Sequence, residues 1–310
     1  MERASGGGKP RRARRRWSKV TLSARQARRL KPLLEGLLDP RAMAARVEHD
    51  PVRFPRRYPR PADAEMAGLL AACLAYGKAE VFLQKLEGLF AYMGPSPSAF
   101  AQEFEPERHR EFFAGFVYRF NTGADLAALV SAAGRLQARG GRIGLVVAEA
   151  LRAQGSLQGA LAELSARLRG ALDPRVERAF GPPRALSHLL PDPRRGGATK
   201  RLLLYLRWMV RGGAQDPVDL GIWTGIPTRA LVIPLDTHLT RVSLRLGLTA
   251  RRDASWRTAV EITEALRCLD AEDPVRFDFA LCHLGMSGAC PARPASASCA
   301  QCRLLPVCRH

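Results

Sequence analysis

Lysine is nearly missing from this chain. Of its 49 basic residues only six are lysine (Lys9, Lys19, Lys31, Lys78, Lys85 and Lys200), and the other 43 are arginine. After Lys85 the remaining 225 residues contain a single lysine, Lys200. Where the chain wants positive charge alone it uses arginine, so Lys200 has a reason to be an amine. An amine can shed its proton and attack carbon, and a guanidinium cannot. Acidic residues are also short, 29 against 49, which leaves a net charge of +20. That excess favours a polyanionic partner, nucleic acid before membrane. An arginine- and alanine-rich composition inherited from a GC-rich genome is the plain alternative. Long apolar runs are lacking too. No stretch reaches the roughly 20 residues that a bilayer demands, and no apolar segment follows the basic N-terminal residues as a secretory signal requires. The expectation is a cytoplasmic, nucleoid-associated protein with no membrane partner.

Strand alternation is equally scarce. Only Leu231-Val232-Ile233 reads as β, and Pro234 stops it. No internal repeat is present. Instead, apolar residues recur at three- and four-residue spacing from about residue 35 onward, the mark of helices with one buried face. Leu69, Leu70, Cys73 and Leu74 form one such run after Pro61, and Val81, Phe82, Leu86, Leu89 and Phe90 form the next. Further runs cover about 124–138, 143–152, 157–172, 199–211, 237–246 and 255–269, punctuated by glycine and proline. The prediction is an all-α chain of about ten helices. At 310 residues it is long enough for two domains of roughly 150 each. Residues 1–31 stand apart: they carry twelve Lys/Arg and one Glu, with GGG at 6–8 and RRARRR at 11–16. Such a block predicts a disordered basic tail over 1–35 that contacts nucleic acid, or one that only aids solubility.

The seven cysteines are unevenly spread. Cys73, Cys268 and Cys282 lie inside apolar helical patterns, where a free thiol behaves as a small hydrophobe. Cys290, Cys299, Cys302 and Cys308 crowd together as C-x8-C-x2-C-x5-C. Four thiolates in a short Pro-rich loop suit either a [4Fe–4S] cluster or a four-cysteine zinc site. A zinc ribbon normally carries two C-x2-C knuckles and this loop has one, which favours iron–sulphur.

Residues 285–308, with four cysteines after a helix, resemble the cluster loop of the endonuclease III group of DNA glycosylases. Pro234-Leu235-Asp236-Thr237-His238-Leu239-Thr240-Arg241-Val242 resembles the segment around the catalytic aspartate of that helix-hairpin-helix superfamily, and the two motifs stand in the expected order. The 69–89 helix pair, broken at Tyr76-Gly77, resembles the superfamily's early helices loosely. As a whole the chain looks closest to a bacterial family distantly related to these glycosylases, and the strong part of the likeness spans about 199–308. The superfamily's Leu-Pro-Gly-x-Gly turn into its catalytic lysine corresponds to the longer Leu190-Pro191-Asp192-Pro193-Arg194-Arg195-Gly196-Gly197-Ala198-Thr199-Lys200. The 36-residue step from Lys200 to Asp236 is more like that of archaeal 8-oxoguanine DNA glycosylase.

The resemblance implies a two-lobed fold over 36–284 with the active-site cleft between the lobes and a cluster loop over 285–310. It implies a base-excision DNA glycosylase with AP lyase activity, acting as a monomer on double-stranded DNA with a damaged base. Lys200 and Asp236 become the catalytic pair, and the four cysteines hold a [4Fe–4S] cluster, with zinc as the alternative. DNA contacts are expected at Gly196, Gly197, Thr199, Arg201, His238, Arg241, Tyr76 and Lys78, with Tyr76 a candidate wedge. The chemistry agrees with the residue types. A carboxylate stabilises the oxocarbenium-like sugar, as in glycoside hydrolysis, and an amine forms a Schiff base that permits strand cleavage. At the start of a helix, the dipole is expected to lower the Lys200 pKa. The rival readings are a non-catalytic DNA- or lesion-binding protein of the same fold, and a zinc-stabilised RNA-binding protein.

Overall fold

Each long apolar 3–4 run is helical. The computed structural model describes residues 22–213, 215–293 and 296–309, with helices at Pro61–Leu74, Ala79–Met93, Gly123–Gly140, Ile143–Gln154, Leu157–Gly170, Lys200–Val210, Thr237–Leu246 and Trp256–Arg267. Helix accounts for 62% of the structure and strand for 3%, which makes the chain all-α. Side-chain caps set many of the starts. Ser156, Asp236 and Ser255 accept the N–H groups of Gly159, Leu239 and Thr258, and a cap of this kind contributes about 1 kcal/mol.

Shorter helices at Pro40–Val47, Pro97–Gln102 and Pro174–Phe180 begin on proline. A proline at the first helical position loses no hydrogen bond and arrives with the right φ. The Gly94–Pro97 punctuation therefore ends one helix and starts another. The segment that leads into Lys200 holds a four-residue helix, Leu186–Leu189, and a 3-10 turn at Pro193–Arg195.

Two sequence-based expectations need correction. The basic tail does not extend to residue 35, since Ala24–Glu35 is a helix with a Ser23–Gln26 capping box. It buries Leu30 and Leu34 and packs on the Leu305–Val307 turn, where Arg29 Nη2 donates to the Pro306 carbonyl at 2.8 Å. The arginines of this stretch occupy the outer face of an amphipathic helix, a pattern that charge counting hides. Residues 1–21 of the expected tail lie outside the described residues. Second, Leu231–Ile233 joins no sheet; the Ile233 N–H donates to Thr263 Oγ1 at 3.0 Å. Among the described residues the paired strands are Val117–Tyr118 and Asn121–Thr122, which form a tight antiparallel hairpin.

The Pro61–Leu74 helix is buried from Asp63 to Leu74 and packs against Pro97–Gln102, Gly123–Gly140 and Lys200–Val210. Its Glu65 carboxylate, fully buried, accepts from the N–H groups of Ile143 and Gly144 and from Trp223 Nε1 at 2.6 Å. A buried charge is tolerated only when paired and hydrogen-bonded, and Arg142 Nε at 2.9 Å supplies the counter-charge. Trp208, Trp223 and Trp256 are core residues, as their apolar surroundings predict. The Thr237–Leu246 helix packs on Asp278–Met286, which in turn meets Pro40–Val47. No helix among the described residues is long and apolar enough to cross a membrane.

Candidate active site

Lys200 and Asp236 meet, although 36 residues separate them. Asp236 caps its helix with one oxygen only: Oδ1 accepts the Leu239 N–H at 2.8 Å, and Oδ2 faces Lys200 Nζ at 3.1 Å. Capping and a second role are therefore compatible. Lys200 is the first residue of the Lys200–Val210 helix, which the chain enters through Thr199 in the left-handed region, φ 52°. From the far side, the Cys282 thiol donates to the same Oδ2 at 3.4 Å. That approach depends on Gly285, where a Cβ would lie 2.7 Å from the His238 Cβ, so only glycine lets the two helices come this close.

The pair is charged at rest. Burial works against the Lys200 ammonium, but the Asp236 carboxylate more than offsets it, and the pKa is raised above the ordinary lysine value. Burial likewise works against the Asp236 carboxylate, yet Lys200 and the Leu239 N–H hold its pKa below the ordinary value. The expectation of a lowered amine pKa is thus corrected, because a partner at 3.1 Å outweighs a helix dipole. Burial pushes the Cys282 thiol well up, with Asp236 and Asp278 adding to it, so the sulfur stays protonated and is a donor.

Behind the pair lies a buried ionic lattice. Arg207 bonds to Asp219 at 3.0 Å and also to Asp278, and all three are almost fully buried. Burial pushes the Asp278 carboxyl up to about 6 despite Arg207, and Asp236 adds to the rise.

The pair opens into a cleft of about 970 Å³. Of the expected contact residues, Tyr76, Gly197, Thr199, Arg201 and His238 line it with Lys200 and Asp236. Gly196, Lys78 and Arg241 do not. The Gly196 N–H donates to the Pro193 carbonyl, and its own carbonyl accepts from the Trp256 N–H. Lys78 is exposed at the start of the Ala79–Met93 helix. Arg241 instead bonds the carbonyls of Gly285 and Cys290, tying its helix to the cysteine loop. Tyr76 is in the cleft but immobilised: its hydroxyl donates to Asn121 Oδ1 at 2.6 Å, Tyr118 donates to its carbonyl, and the Arg201 guanidinium lies 5.3 Å from its ring centre. So held, Tyr76 forms part of the cleft wall. His188 is edge-on to the same ring at 4.7 Å, and burial with Arg201 nearby pushes it down to about 4, so it is neutral.

Cys290, Cys299, Cys302 and Cys308 are free and half-buried. Four free thiols are the donor set a [4Fe–4S] cluster or zinc takes, but among the described residues no three Cys, His, Asp or Glu side chains are grouped to hold a metal. Arg245 Nη1 donates to Cys290 Sγ at 2.9 Å, and the Arg309 N–H donates to the Arg245 carbonyl at 2.7 Å, so this arginine braces the loop against the Thr237–Leu246 helix.

Sequence reasoning missed Cys282, Asp278 and Arg207. The signal for the first two was the four-residue step that puts them on one helix face; Arg207 had no signal among 43 arginines.

Residues 50–287 match the model of a protein family of unknown function, DUF2400. The match covers well over half of the chain, which therefore belongs to this family. It takes in Lys200, Asp236 and Cys282 and stops before Cys290. No curated protein and no solved structure matches the chain.

Proposed function

We propose that the protein is a base-excision DNA glycosylase with AP lyase activity, with Lys200 as nucleophile and Asp236 as its carboxylate partner. One observation carries the reading: the single lysine of the last 225 residues stands 3.1 Å from the expected aspartate at the cleft. The net charge of +20 supports a polyanionic substrate. Because the resting pair is an ammonium and a carboxylate, the first step is a proton transfer from Nζ to Oδ2. DNA that closes the cleft expels water and so favours the neutral forms of both groups. The neutral amine attacks C1′, the base leaves with the electron pair of its glycosidic bond, and Asp236 returns the proton to the departing base. The second Nζ proton passes to O4′ as the sugar ring opens, which gives the protonated imine, and Asp236, again a carboxylate, takes a C2′ proton as the C3′–O bond breaks and the 3′ phosphate leaves with its electron pair. Water then releases the lysine. Borohydride reduction on abasic DNA tests this, because it traps the imine covalently.

A second reading, a lesion-binding protein without turnover, is favoured by the charged resting pair itself, which can serve as a structural ion pair. Absence of any trapped adduct across abasic and base-lesion duplexes selects it.

In the same proposal the four C-terminal cysteines carry a [4Fe–4S] cluster as a brace that takes no part in these steps. Anaerobically purified protein is expected to hold iron and acid-labile sulfide, and Cys302→Ser to lose both. Stoichiometric zinc without iron contradicts this and favours the zinc-stabilised alternative.

Residues 1–21 carry eight Lys/Arg and one Glu. Their deletion is expected to weaken non-specific duplex binding and to flatten the log K against log salt slope by about 0.9 for each phosphate they neutralise. An unchanged slope means that these residues do not touch DNA.

A further inference from the structure

The Asp236 carboxylate has three ties, and one of them leaves during the chemistry above. Oδ1 stays on the Leu239 N–H at 2.8 Å. Oδ2 is shared by Lys200 Nζ at 3.1 Å and the Cys282 thiol at 3.4 Å. When Nζ turns to C1′ the ion pair opens, and the thiol is the tie that remains on the oxygen that exchanges protons. Among the described residues no other hydrogen bond reaches Oδ2. Of the other charged or titratable groups around it, Asp278 bonds Arg207, His238 faces Arg241, and Asp50 stands 3.5 Å from His283.

The thiol is placed and protonated for this use. Its helix, Asp278–Met286, is locked against Thr237–Leu246 by the close approach at Gly285 and by Arg241 Nη2, which donates to the Gly285 carbonyl at 3.1 Å. Burial, with Asp236 and Asp278 close by, outweighs the opposing pull of Lys200 and keeps the sulfur protonated. The same proton has a second acceptor, Met286 Sδ at 3.7 Å, one helical turn on. The S–H can face Oδ2 while that oxygen is anionic and turn to the thioether once it carries a proton. Neither state leaves a buried donor without a partner. Both sulfur side chains line the cleft.

We infer that Cys282 is a positioning residue, whose S–H holds Asp236 Oδ2 toward the cleft while Lys200 is engaged with the sugar. The inference rests on the glycosylase and lyase reading of the pair. An S–H is a weak donor, so it steadies the carboxylate without preventing it from taking the Nζ proton.

The test compares the full chain with Cys282→Ala and Cys282→Ser. Without DNA, the carbon-13 NMR titration of the Asp236 carboxyl is expected to move to higher pH in Cys282→Ala, because a donor to the charged form is gone. Cys282→Ser, which keeps a donor, is expected to bring it back toward wild type. On abasic duplex in single turnover, Cys282→Ala is expected to react roughly tenfold more slowly, as when a reacting group loses its alignment. The acidic limb of its pH–rate profile moves up with the titration. Affinity for an unreactive tetrahydrofuran abasic analogue is expected to stay within about twofold, since the tie matters only after Nζ has left. Serine is expected to recover most of the rate. An unmoved titration overturns the proposal, and so does a moved titration with an unchanged rate. Rate and affinity that fall together and are not recovered by serine make the thiol a packing group and overturn it as well. Wild-type protein that traps no adduct on abasic DNA, while the titration still moves in Cys282→Ala, refutes the lyase and leaves the hold of the thiol on Asp236 standing.

Discussion

Lys200→Arg is expected to abolish borohydride trapping on abasic DNA while leaving duplex affinity within about tenfold, or roughly 1.4 kcal/mol. Arginine keeps the positive charge that Asp236 Oδ2 faces at 3.1 Å, so the ion pair and the helix start survive. What disappears is the ability to lose a proton and form a carbon–nitrogen bond, because a guanidinium stays protonated. Asp236→Asn tests the partner separately. Asparagine can still cap through its side-chain oxygen to the Leu239 N–H, but it can neither take the Nζ proton nor stabilise a cationic sugar. The rate is expected to fall on the order of 100-fold or more, as when a preorganised electrostatic interaction is removed. A binding defect of the same size in both variants would instead indicate a structural ion pair.

Arg207→Leu is expected to be the most destabilising single change in the region behind the cleft. It leaves Asp278 and part of the Asp219 carboxylate buried without their counter-charge, and breaking a buried pair this way costs roughly 3–5 kcal/mol. The pH dependence follows from the shift already present. The folded-state pKa of Asp278 is raised to about 6 from 3.8, so the folded state holds this proton more tightly than the unfolded chain does. Its contribution is present at low pH and is lost as pH rises from about 4 through about 6. Without Arg207 the carboxyl rises further, so the deficit of the variant shrinks as pH falls from about 8 to about 5. Thermal unfolding of both proteins across that range checks this; a deficit independent of pH argues that lost packing, not charge, is responsible. Arg211, which also bonds Asp219 at 2.8 Å, limits the damage on that side.

The long helices were legible because their apolar faces repeat at helical spacing and serine or aspartate caps mark their starts. The short ones were hidden by proline. Read as a terminator, Pro97 closes the preceding run; preceded by the Ser96 cap, it opens a helix. Asp39-Pro40 and Asp173-Pro174 carry the same signature of cap and first helical residue. The hairpin gave no sign, because its strands are two residues each and its turn lacks the glycine or asparagine that marks such turns. Lys200 was legible through the scarcity of lysine, and Asp236 through its likeness to a known segment. Their protonation was not, since it depends on a contact between residues 36 positions apart. The Arg207 lattice joins side chains 12 and 71 positions apart, a distance over which no local pattern operates.

The most direct test of the catalytic claim is to reduce the wild-type protein with borohydride on abasic DNA and map the adduct by peptide mass spectrometry. One modified site is expected, at Lys200, with Asp236→Asn giving the same site at a slower rate. An adduct on Lys78 or on the N-terminal amine, or no adduct at all, contradicts it.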